Sequence, residues 1–129
     1  MWKKSTSHTI DWATIKTTLY ENASGASSPF SLSDSPTNYE IIEVFAVDNT
    51  GTNYTSARFR GVDTRWILFM VSCGAGADAT FYFKSQTLSI SGTSVAFTAG
   101  RECYAQNGSI STPTASDIKW KPTKVIGYK

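Results

Sequence analysis

The sequence predicts an all-β fold: a single antiparallel β-sandwich, jelly-roll-like, over residues 8–129, preceded by a flexible segment or linker at residues 1–7. Three observations predict it. Short runs rich in β-branched and aromatic residues recur along the whole chain, about ten residues apart. Clusters of Gly, Asn, Asp, Ser and Pro separate them, as turns require. No segment carries a convincing helical period. At 129 residues the chain can bury a core of its own without a metal or several disulfides.

The elements follow in order. Residues 8–15 hold Ile10, Trp12 and Ile15 in a stretch too short to choose between a strand and a helical turn. Residues 14–20 read as a strand, with Ile15, Thr17 and Leu19 alternating against Lys16, Thr18 and Tyr20. A Ser/Gly/Ala turn at 22–29 leads to a short strand at 30–33. The next strand, 38–48, is apolar on both faces: Ile42, Val44 and Ala46 on one, Tyr39, Ile41, Phe45 and Val47 on the other. Such a strand is expected under a second layer or against another subunit. Glu43 interrupts it and reads as a strand-edge charge or one half of a salt bridge.

Gly51 is the expected positive-φ position of the following hairpin, whose return strand is 54–60. Residues 65–73 form the most apolar run and are expected as a central strand covered on both faces. Beyond the turn at 74–78, Phe81 and Phe83 alternate with Thr80, Tyr82 and Lys84. Leu88 and Ile90 lead to a turn at 91–94, and Val95 and Phe97 to a further short strand. Cys103 and Ala105 belong to a strand ended by Asn107-Gly108, a strong hairpin-turn signal. Pro113 interrupts a Ser/Thr-rich stretch, and residues 118–128 close the chain as a strand in which Pro122 makes a bulge or an edge.

Composition narrows the function classes. Charged residues make up 17%, low for a soluble domain, and Ser and Thr supply about a quarter of all positions. Net charge is +2, with the basic residues scattered, so no track for a phosphate backbone is predicted and nucleic acid is not an expected partner. No apolar run approaches the ~18 residues of a membrane span, and the residues after Met1 form no secretory leader, so no membrane insertion is expected. Cys73 and Cys103 match no metal spacing and read as reduced, buried apolar residues, although pairing between them stays open.

Catalysis finds little support. The only histidine, His8, lies near the N-terminus, so neither a nucleophile–His pair nor a His/Cys metal shell can be assembled elsewhere. Gly74-Ala75-Gly76-Ala77 lacks the lysine and helix of a phosphate loop. Carboxylates at strand ends could in principle serve glycoside hydrolysis, but nothing pairs them. No catalytic residue, cofactor or metal is therefore predicted, and the chain is read as a non-enzyme. Binding without turnover suits the residues better. Three loops combine aromatic faces with hydrogen-bonding side chains suited to a sugar: Asn49, Asn53 and Tyr54; Asp63 and Arg65 beside Trp66; and Tyr104, Gln106 and Asn107.

A resemblance sharpens this reading. Thr18-Leu19-Tyr20-Glu21-Asn22 is followed by a Ser/Gly/Ala turn, Phe30-Ser31-Leu32-Ser33-Asp34-Ser35, then Asn38-Tyr39 opening Ile41-Ile42-Glu43-Val44, and the chain ends Lys124-Val125-Ile126-Gly127-Tyr128-Lys129. That order, over roughly residues 17–129, resembles the C-terminal receptor-binding or tip modules of tailed-bacteriophage and prophage tail-fibre or baseplate proteins. The resemblance implies a homotrimer in a virion appendage, made in the host cytoplasm. It implies contacts with other virion proteins and binding of a host surface glycan or protein. Trp12, Tyr39, Ile41, Phe45 and Trp120 are the expected oligomer interface. The alternatives are a capsid decoration, head-fibre or adaptor protein that contacts only virion proteins, and a detached carbohydrate-binding module of a glycan-degrading enzyme.

Overall fold

The computed structural model describes residues 15–73, 80–112, 114–115 and 117–129. His8, Trp12 and the turn at 74–78 lie outside the described residues. Among the described residues eleven strands form two antiparallel sheets: β1 (Lys16–Glu21), β2 (Phe30–Ser31), β3 (Ile41–Asp48), β4 (Tyr54–Arg60), β5 (Arg65–Cys73), β6 (Phe81–Ser91), β7 (Ser94–Ala96), β8 (Arg101–Gln106), β9 (Ser109–Ile110), β10 (Thr114–Ala115) and β11 (Trp120–Tyr128). Among the described residues the helical content is negligible; one 3₁₀ turn, Pro36–Asn38, precedes β3.

The first sheet, A, runs β1-β11-β3-β4. In the second, B, the long strand β6 pairs with β5 along one side. Its other side is shared by β8 and β7, which carry β10 and β9, and β2, respectively. The sheets also meet at their edges. Thr55 Oγ1 donates to Phe69 O at 3.2 Å where β4 runs beside β5, away from the turn that joins them. Ser33 N donates to Leu19 O at 2.9 Å where β1 passes toward β2.

The core fills the space between the sheets. Ile42, Val44 and Ala46 from β3 and Val125 from β11 face Trp66 and Leu68 from β5, Leu88 from β6 and Val95 from β7. Phe59 stacks on Trp66 with ring centroids 5.9 Å apart. Burying each valine, leucine and isoleucine of this core contributes roughly 1.5–3 kcal/mol.

The turns obey their local chemistry. Gly51 has φ 76°, and Asn107 and Gly108 have φ 51° and 75°, the left-handed pair that an Asn-Gly hairpin turn needs. Pro122 stands at a bulge: the β3–β11 register jumps between Pro122 and Lys124.

Two expectations need correction. β5 is not covered on both faces; Trp66 and Leu68 point inward, whereas Ile67, Phe69 and Val71 stay exposed. Tyr39 and Trp120 are not surface residues awaiting a partner, being 6% and 1% exposed. The Tyr39 ring lies on Gly127, and its hydroxyl donates to Asp34 Oδ2 at 3.0 Å. Trp120 Nε1 donates to Lys84 O at 3.2 Å, so the indole's polar atom is satisfied inside the chain.

A groove over the bulge in sheet A

The bulge in β11 shapes a concavity on the outer face of sheet A. Thr123 is the extra residue there, and its insertion bends the strand where β11 lies between β1 and β3. A groove of about 570 Å³ follows the bend, within the size range of small-ligand sites. Phe45, Ile126 and Ala46 line its apolar part, Tyr54 and Thr55 come from β4, and Lys16, Glu21 and Lys124 supply charge. Tyr54 is 71% exposed and presents most of its ring to solvent. Lys124 Nζ stands 3.7 Å from Glu21 Oε1. The arrangement offers an aromatic wall, an apolar floor and charged donors and acceptors at the mouth.

The rest of that outer face is neutralised locally. Glu43 receives Arg58 Nε at 2.9 Å and the Tyr128 hydroxyl at 2.8 Å. Burial pushes the Glu43 carboxyl up, but these two hydrogen bonds outweigh it and hold the group below its ordinary range. The salt-bridge reading of Glu43 is what the structure shows.

The three sequence-predicted loops fall at two ends of the sandwich. The β3–β4 turn reaches the level of Lys84, whose Nζ is 3.8 Å from Asp48 Oδ2. The β8–β9 hairpin lies toward the same end, because Glu102 pairs with Lys84 and Tyr104 with Tyr82 one step further out. Tyr82 and Tyr104 are both exposed there, ring centroids 6.4 Å apart. Arg65 pairs with Ser89, at the opposite end.

Several of these side chains are engaged by other groups of the chain, within their own turns or, for Asn49, across to the segment before β11. Asn53 Nδ2 donates to Asp48 Oδ2 at 2.7 Å, and Asn49 Nδ2 to Asp117 Oδ2 at 2.9 Å. Asp63 accepts from Arg60 N at 2.9 Å and from Arg60 Nη2 at 3.1 Å. Gln106 ends β8, and Asn107 supplies the left-handed turn conformation. Tyr54 alone of the eight candidates lines the groove; Phe45, expected at an interface, joins it there, and Ile41 is exposed on the same face.

Lys16, Glu21 and Lys124 were not visible as site residues in the sequence. They come from the first and last strands, whose adjacency no local pattern reveals. The one available signal was Pro122, which marks the bulge.

Comparisons with models of known families, with characterised proteins and with solved structures found no match for this chain. No cluster of His, Cys, Asp and Glu suited to a metal ion occurs among the described residues. No helix there is long and apolar enough to cross a membrane.

Proposed function

We propose that this chain is a non-catalytic recognition module at the tip of a phage tail fibre or baseplate, assembled as a homotrimer, that binds a host surface glycan in the groove over β11. The observation that carries the binding reading is the exposed Tyr54 ring beside Phe45, with Lys16, Glu21 and Lys124 around them. A pyranose stacks its apolar face on such a ring, while lysine and carboxylate groups hold its hydroxyls. The phage setting rests on the strand-and-turn resemblance of residues 17–129. Weak single sites suffice in that setting, because copies displayed together bind one surface through several sites at once.

The test is binding to whole bacterial cells and to an array of bacterial surface polysaccharides, comparing the native chain with Tyr54→Ala. Tyr54 is mostly solvated, so its removal is expected to leave stability within about 0.5 kcal/mol. It should lower glycan affinity at least tenfold, about 1.4 kcal/mol. Equal retention by both proteins would move the site away from this groove. Absence of any binding by the native chain, with assembly onto virion proteins instead, would establish the adaptor alternative.

A further inference from the structure

We propose that the outer face of sheet B is where a second copy of this chain packs. The proposal rests on the oligomeric part of the reading above and names its interface: copies of this face meet each other, three of them around a threefold axis in the trimer. It starts from a conflict between hydropathy and register. Along β6 the residues that turn inward are Lys84, Gln86 and Leu88, while Phe81 turns outward and is exposed. Along β5 the outward set is Ile67, Phe69 and Val71. These four outward side chains are between 45% and 53% exposed.

The inverted register is firmly built. Gln86 Nε2 donates to Thr98 O at 2.6 Å, and Gln86 Oε1 accepts from Lys119 N at 2.9 Å. Lys84 stands 3.8 Å from buried Asp48. A strand slipped by one residue would bring Phe81 and Phe83 inward and send Lys84 and Gln86 out, while turning Leu88 outward and Ser85, Thr87 and Ser89 inward. Instead the chain satisfies a buried glutamine and a half-buried lysine with dedicated partners and keeps aromatic side chains outside. Such an arrangement is expected of a face that is covered in the working assembly.

Size and chemistry identify the cover as the chain itself. With Ile110 at the rim, the exposed large apolar residues of this face present roughly 500 Å². Thr87, Ser89 and the two arginines Arg65 and Arg101 extend it toward the ~800 Å² per partner that a standard interface uses. Strand alternation turns Glu102 inward, where it pairs with Lys119, although it also borders the concavity beside Phe69 and Phe83. A hydroxyl is both donor and acceptor, so a face of serine and threonine can satisfy its own copy, which a face of carboxylates cannot. Arg101 borders Phe69, Phe83 and Cys103, where a guanidinium can lie on a ring of the facing copy.

Two readouts test the proposal in solution. The first is mass by light scattering at micromolar concentration, for the native chain and for Phe69→Lys and Ile67→Lys. Both replaced side chains are half-exposed, so two independent variants guard against a folding defect, checked by circular dichroism. The expected result is an oligomeric native chain and folded, monomeric variants. The second is maleimide labelling of Cys103 in a Cys73→Ser background, which leaves one thiol. Labelling is expected to slow by about tenfold or more on passing from dilute to concentrated protein, as mass action covers the face.

A native monomer, or folded variants that stay oligomeric with Cys103 equally reactive at all concentrations, would overturn the proposal. Failure of the glycan reading is separate: it shows as loss of cell binding with the oligomer and its Cys103 protection intact.

Discussion

Asp48 shows how one side chain can organise a turn. It is buried at the end of β3, and its Oδ1 accepts from Thr50 N at 3.2 Å, Thr50 Oγ1 at 2.7 Å, Thr52 N at 3.2 Å and Asn53 N at 3.3 Å. Burial alone would raise its pKa. The hydrogen bonds from Asn53, Thr50 and Thr52 outweigh that effect and hold the carboxyl far below its ordinary range. Because the native value is depressed, the stabilisation is complete above the unfolded value near 3.8 and is lost as pH falls toward the native one. Asp48→Asn would turn an amide donor toward groups that already donate and leave Lys84 without its ion partner. The expected cost is about 3 kcal/mol in urea unfolding at neutral pH, with a shallower loss of stability below pH ~4 than in the native chain. Unchanged acid unfolding would place the sensitivity elsewhere.

The sign reverses at Lys119, whose ammonium sits between Asp117 and Glu102, 2.9 Å from Glu102 Oε2. Burial lowers its pKa, but the hydrogen bonds to Asp117 and Glu102 outweigh it and the value is raised. Its contribution is therefore present below the ordinary lysine value of 10.5 and is lost as pH rises through the native one. Unfolding measured between pH 9 and pH ~12 should show that loss, and Lys119→Met should remove it.

At the scale of elements, the packing of β11 depends on a residue without a side chain. A Cβ on Gly127 would meet the Tyr39 ring at 2.5 Å, and that ring is tethered through its hydroxyl to Asp34. Gly127→Ala is expected to cost about 1–3 kcal/mol, the usual range for overpacking a filled site. Chemical denaturation measures it. Tyr39→Leu in the same background should recover part of the loss by removing the ring, and a neutral Gly127→Ala would show that the sheet gives way instead.

Turns and strand existence were legible in the sequence because their causes are local. Asn107-Gly108 and Gly51 supply left-handed conformations, and the run 65–73 is short, apolar and bounded by turn residues on both sides, as a strand is. The facing of β6 was not legible. Phe81 and Phe83 alternate with Lys84 in either register, and only the pairing of Trp66 with Leu88 decides which set enters the core. Cysteine pairing was settled by the same non-local register. Cys73 pairs with Phe81 on one side of β6 and Cys103 with Phe83 on the other, so about 10 Å of sheet lies between their backbones, beyond disulfide reach. Cys103 is moreover half-exposed rather than buried. The groove, built from both termini of the described chain, had only its bulge announced.

For the whole molecule, the proposed assembly divides the work between the two outer faces. Sheet A carries the groove with Tyr54 and sheet B the exposed apolar face, so a second copy packed on sheet B would leave each groove open to solvent. Affinity for a surface then depends on how many grooves act together. Phe69→Lys should leave the intrinsic affinity of one groove for a soluble oligosaccharide unchanged, because Phe69 belongs to the other sheet. The same variant should lose retention on whole cells by about 10²–10⁴-fold, the usual gain from linking weak sites. Tyr54→Ala should weaken both measurements while the native assembly persists. Were Phe69→Lys to adhere to cells as strongly as the native chain, single-groove binding would account for adhesion by itself and assembly would serve another purpose.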